Sequence, residues 1–171
     1  MKKSVLFIMM LLTISLTASA QKFALIDMEY ILKNIPAYER ASEQLNQSSK
    51  KWQSEVETLA QEAQTLYKNY QSETVFLSEE QKTKKEEEIV AKEKEAAELR
   101  KKYFGPEGEM AKKQEALITP IQDKIYEAVK QISEQKGYAA VVDRGSAQSI
   151  IFASPSIDIS NEVLSRLGYS N

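Results

Sequence analysis

The period of the apolar positions changes along this chain, and each change marks an element. Phe23-Ala24-Leu25-Ile26-Asp27-Met28 is a short apolar run, too short for a helix and suited to a buried strand. Tyr30, Ile31 and Leu32 follow. Asn34-Ile35-Pro36 then closes the segment, and Pro36 suits the first turn of a helix. Beyond it the period becomes helical. Leu45, Trp52, Leu59 and Leu66 recur every seven residues, and Val56, Ala63 and Tyr70 form a second such series offset by four. The alternating steps of three and four make an a/d seam with a period of 3.5, the signature of a coiled coil. Lys50, Lys51, Glu55, Glu57 and Glu62 fall outside the seam, and no glycine or proline occurs from Ala37 to Phe104.

The seam breaks between Gln71 and Ser78. Ser78-Glu79-Glu80-Gln81 has the form of a capping box, so a new helix is expected from Glu79. Ile89, Ala96 and Tyr103 form its seam, with Val90, Ala97, Leu99 and Phe104 beside them. This helix is otherwise so polar that it needs a partner, and the nearest is the preceding helix, folded back antiparallel. The hairpin tip is therefore placed near residues 72–79. Phe104-Gly105-Pro106-Glu107-Gly108 then predicts a kink or bulge, because proline removes a backbone donor and glycine is a poor helix former; the alternative, that this segment is itself the hairpin tip, makes the two arms badly unequal. Helix resumes through Leu117, Ile118, Ile121, Ile125, Ala128, Val129 and Ile132 and stops at Gly137.

The C-terminal section returns to strand and short helix. Tyr138-Ala139-Ala140-Val141-Val142-Asp143 reads as a buried-type strand, Arg144-Gly145-Ser146 as a turn, and Ser149-Ile150-Ile151-Phe152 as a second strand. Asp158 is placed as the cap of a last helix with Ile159, Val163 and Leu167 on its face and Gly168 past its end. The fold class is α+β and mostly α: a long antiparallel helical hairpin on a small β-sheet. The arm covers residues 37–136, and the β-rich body covers 21–36 and 137–171. The first strand is expected to pair with the last two. So small a sheet supports itself poorly, which points to oligomerisation through Phe23, Leu25, Ile26, Val141, Val142, Ile150 and Ile151.

Composition narrows the chemistry. The chain has no cysteine and no histidine, which removes thiol nucleophiles, disulfides, catalytic triads and the common zinc sites. An enzyme would have to work with carboxylates alone, and Asp27 and Asp143 read as turn or cap residues. No enzymatic activity, cofactor or metal site is expected. A net charge of −2 without a basic face disfavours nucleic acid.

Residues 1–20 read as a secretory signal peptide. Lys2 and Lys3 precede an apolar run from Val5 to Leu16, and Ala18-Ser19-Ala20 is a small-residue cleavage site. Gln21 follows in place of the cysteine that lipidation requires, so the mature chain is expected without a stable membrane anchor.

These features together resemble the Skp/OmpH family. The residues that carry the resemblance are the opening Lys22-Phe23-Ala24-Leu25-Ile26-Asp27-Met28, the closing Gly137-Tyr138-Ala139-Ala140-Val141-Val142-Asp143, the terminal Asp158-Ile159-Ser160, and the charged hairpin between them. The resemblance implies a periplasmic homotrimer whose sheets join into one body and whose arms surround a cavity. It implies an ATP-independent holdase that keeps unfolded outer-membrane proteins from aggregating and aids their delivery. A scaffolding coiled coil that binds a folded partner is the alternative. Arms of this family are often basic. Here Lys82, Lys84 and Lys85 lie among Glu79, Glu80 and Glu86 to Glu88, so no lipid site is assigned and lipopolysaccharide contact stays open. Val75, Phe76 and Leu77 are three adjacent apolar residues at the tip of a charged hairpin, and they are the candidate client contacts.

Overall fold

The computed structural model describes residues 22–147 and 150–169. The segment read as a signal peptide lies outside them. Among the described residues nine elements follow in order: β1 (Lys22–Ile26), α1 (Met28–Lys33), α2 (Pro36–Glu73), a 3-10 turn (Thr74–Phe76), α3 (Glu79–Phe104), α4 (Glu109–Lys136), β2 (Tyr138–Asp143), a second 3-10 turn (Pro155–Ile157) and α5 (Ser160–Arg166). They form two compact units. One holds residues 22–32 together with the described residues from 126 onward, and the other runs from Lys33 to Ile125.

In the first unit β1 and β2 pair in parallel, with Leu25 opposite Val142 and Ile26 opposite Asp143. Parallel neighbours need a long crossover, and the whole helical hairpin is that crossover. Ala24, Leu25, Ile26, Ile31, Leu32, Ala128, Ile132, Ile159, Val163 and Leu164 are buried in this unit.

Three expectations change here. Met28–Lys33 is a short helix, which the sequence reading did not assign, and Asp27 accepts from the Tyr30 N–H at its start. The second C-terminal strand does not form among the described residues: Ile150 to Phe152 are irregular, and Ser149 lies outside them. After β2 the Ala147 N–H donates to the Asp143 carbonyl and the Ile150 N–H to the Ala147 carbonyl, so the chain turns away from the ladder. The other side of β1 is already used, because the Ile159 N–H donates to the Leu25 carbonyl at 2.9 Å. Nor is β2 buried as its apolar run suggested: Ala139, Ala140 and Val142 are exposed.

In the second unit α2 runs 38 residues without a break, a length of roughly 57 Å at 1.5 Å per residue. Its close helical neighbour is α3, packed antiparallel as expected. The capping box forms at Ser78, whose Oγ accepts from the Gln81 N–H while the Gln81 side chain accepts from the Ser78 N–H. The return helix ends at Phe104 and restarts at Glu109. Both glycines of that break are sterically required: a Cβ on Gly105 would lie 2.4 Å from the Lys101 carbonyl oxygen, and one on Gly108 would lie 2.8 Å from that of Tyr103.

Candidate functional site

Two surfaces carry the residues singled out from the sequence, one in each unit. The hairpin surface is built on the seam. Val56, Ala63, Ile89 and Ala96 are buried in it, and Trp52 stacks on Tyr103 with ring centroids 5.0 Å apart. Polar pairs fix the register along the hairpin. The Tyr103 hydroxyl donates to Glu55 at 2.5 Å, Lys92 meets Glu62 at 3.3 Å, the Tyr70 hydroxyl donates to Glu86, and Lys85 meets Glu73 at 2.6 Å. As the α2 partners advance toward the tip, the α3 partners recede toward it, which defines the antiparallel pairing. Exposed polar pairs of this kind are screened by solvent and contribute little to stability. Their value here is in fixing alignment. The carboxylate partners hold the Tyr70 and Tyr103 phenols above their ordinary value, mainly by favouring the protonated donor.

At the end of the hairpin, Val75 and Phe76 are 79% and 85% exposed, and Leu77 is half-buried. The Thr74 hydroxyl donates back to the Tyr70 carbonyl, which tightens the turn and leaves the two apolar side chains outside. Lys82 pairs with Glu79 at 2.7 Å and Lys85 with Glu73. Two of the three tip lysines are thus already neutralised, and no basic cluster stands free there among the described residues.

The second surface is the sheet. The seven residues proposed for assembly divide. Leu25 and Ile26 are buried within their own chain and Val141 is half-buried, while Phe23 and Val142 are exposed on the strands. Ile150 lines a cleft of about 370 Å³ with Leu25, Arg144 and Asp158, and Ile151 beside it is fully exposed. Phe152, not singled out from the sequence, is 85% exposed next to it. No strand covers the outer edge of β2 among the described residues.

A polar cluster holds the strand ends in place. Arg144 donates to Asp27 at 2.8 Å and reaches Asp158 at 3.5 Å. The Asp27 N–H donates to the Ser160 hydroxyl at 2.8 Å, and Asp143 accepts from the Met28 N–H at 3.1 Å. The Tyr30 N–H, and then Arg144, hold the Asp27 carboxyl below its ordinary value. Asp27 and Asp143 are thus cap and turn residues. Asp158 is not the N-cap of α5; its carboxylate accepts from the Ser160 N–H two residues further on. Arg144 was legible only as part of a turn, because its partners lie 117 and 14 residues away.

No group of residues suited to a metal ion is found among those described, and no described helix is long and apolar enough to cross a membrane.

Comparison with known proteins adds the lineage. A family model described as outer membrane protein (OmpH-like) matches residues 22–167. The chaperone protein Skp of Yersinia enterocolitica is 25% identical over 156 residues, covering 91% of this chain and 92% of the relative. The crystal structure of an OmpH-like outer membrane chaperone from Caulobacter crescentus superposes with a TM-score of 0.64 at 10% identity, covering 87% of this chain and 85% of that one. The family match spans both units, from β1 to the end of α5, and the chain belongs to the OmpH-like family of outer membrane proteins.

Proposed function

We propose that the mature chain is an ATP-independent periplasmic holdase that keeps unfolded outer-membrane proteins from aggregating. The observation that carries this reading is the pairing of a charged, register-locked hairpin with apolar side chains left outside at its tip. An unfolded β-barrel protein exposes alternating apolar residues and unpaired strand edges. Weak contacts from long, mostly polar arms shield such a chain without imposing a conformation on it. Family membership and the relatives described as chaperones support the same reading.

Assembly completes the device. Phe23, Val142 and Ile151 are exposed around an open strand edge, a surface that a soluble protein needs to cover. Copies of the chain, three by family resemblance, join here into one body and surround a cavity with their arms. Export directed by residues 1–20 ends in cleavage after Ala20, so that the mature chain begins at Gln21. The intact mass of the exported protein tests that step: a retained segment 1–20 overturns it.

Val75, Phe76 and Leu77 contact the client at the tip. Val75→Ser with Phe76→Ser is expected to leave the melting temperature nearly unchanged, because both side chains are exposed, and to raise client dissociation several-fold. Stopped-flow release of a labelled, urea-unfolded outer-membrane protein measures it. Unchanged dissociation removes the tip from the binding surface.

A further inference from the structure

The chain leaves the sheet after Asp143 and meets it again at Asp158, which bridges to Leu25. Ile150, Ile151 and Phe152 lie between these points, and Ile151 is fully exposed. From Ile150 to Ser156 the backbone hydrogen bonds among the described residues are local. The Ile150 N–H donates to the Ala147 carbonyl, the Ser154 carbonyl accepts from the Ile157 N–H, and the Pro155 carbonyl accepts from the Asp158 N–H. Attachment to β1 is made at the two ends instead. The Arg144 N–H donates to the Ile26 carbonyl and the Ile159 N–H to the Leu25 carbonyl, each at 2.9 Å.

One side chain joins those two ends. The Arg144 guanidinium takes Asp27 with two nitrogens, at 2.8 and 3.1 Å, and reaches Asp158 with the third at 3.5 Å. A rigid fork of donors suits two carboxylates at once, where an ammonium is a single point charge. Both carboxylates are themselves held: Asp27 accepts from the Tyr30 N–H and Asp158 from the Ser160 N–H. Arg144 and Asp158 also line the same cleft as Ile150, Ile151 and Phe152. The Arg144 side chain is 54% exposed. So open a bridge adds little to the stability of the fold, but it fixes where the ends of the apolar segment stand.

We propose that Arg144 is a positioning residue for assembly: by joining Asp27 to Asp158 it holds Ile151 and Phe152 in the place where a neighbouring copy meets them. This role rests on the reading of the exposed strand surface as the site where copies join. A segment already held in its bound position loses less conformational freedom on association, and the gain appears in affinity.

The test is sedimentation velocity of the full mature chain over a range of concentrations, with far-UV circular dichroism on the same samples. Four chains are compared: wild type, Arg144→Gln, Ile151→Ala with Phe152→Ala, and all three changes together. Arg144→Gln is expected to keep the wild-type spectrum and to weaken association about tenfold. Without the two apolar side chains Arg144 has nothing left to place, so adding Arg144→Gln to that chain is expected to change association by less than about twofold. Unchanged association in Arg144→Gln overturns the proposal. So does a loss that persists undiminished without Ile151 and Phe152, because Arg144 then serves the sheet itself, and an altered spectrum in Arg144→Gln has the same meaning. A wild-type chain that stays monomeric at every concentration overturns the reading of the strand surface, and this role with it.

Discussion

Asp27 works on three neighbours at once. It caps α1 through Tyr30, takes Arg144 on its other oxygen, and donates its own N–H to Ser160. Its carboxyl is held below the ordinary 3.8, so the folded state binds that proton less tightly than the unfolded chain. The stabilisation is therefore complete above the unfolded value and is lost as the pH falls through the folded one. Melting temperature measured from neutral pH to below 3.8 is expected to fall more steeply for the wild type than for Asp27→Ala. Parallel curves would show that Asp27 carries no such linkage. Ser78 gives a second prediction at this scale. Ser78→Ala removes one half of the capping box, and thermal unfolding is expected to register a loss of about 1 kcal/mol. The serine was legible because its partner lies three residues away; Arg144 was not, because its partner Asp27 enters from the far end of the chain.

The long elements were the most legible. A heptad sustained from Leu45 to Tyr70 admits one reading, and α2 follows it. Local signals also placed the tip and the break at Gly105, but proline alone would have misled, since Pro120 sits inside α4 without ending it. What distinguishes the break is its pair of glycines, each facing a carbonyl oxygen too close for a Cβ. Replacing Gly105 and Pro106 with alanine removes the geometry that tolerates the break. Far-UV circular dichroism is expected to show increased helicity, and large clients to bind less well than small ones because the arm is stiffer. Unchanged helicity and equal binding of both would mean that the break is only a tolerated interruption. The short strands were the least legible. Ile150-Ile151-Phe152 has the composition of a strand, but pairing depends on which edge is vacant, and local pattern does not carry that information. Asp158 and Ile159 had already taken the β1 edge.

At the scale of the whole molecule, buried and exposed strand residues are expected to respond differently to substitution. Ile26 is buried within its own chain, so Ile26→Asp forfeits roughly 2–3 kcal/mol of apolar burial and adds a larger desolvation cost. It is expected to unfold the body. Val142 lies exposed on the strand with the open edge, and Val142→Asp is expected to leave the chain folded and to block assembly. Replacing Gln71 to Gln81 with a short turn is expected to leave assembly intact, because the tip lies in the other unit. Sedimentation velocity with a parallel melt separates these outcomes, and an assembled Val142→Asp would move the interface elsewhere. The proposed activity of this chain is to hold unfolded outer-membrane proteins. Its most direct test is to dilute such a β-barrel protein from denaturant into buffer without nucleotide, with and without the purified mature chain, and to follow light scattering. Scattering suppressed in proportion to added chain is the predicted result; scattering that rises equally in both samples would contradict it.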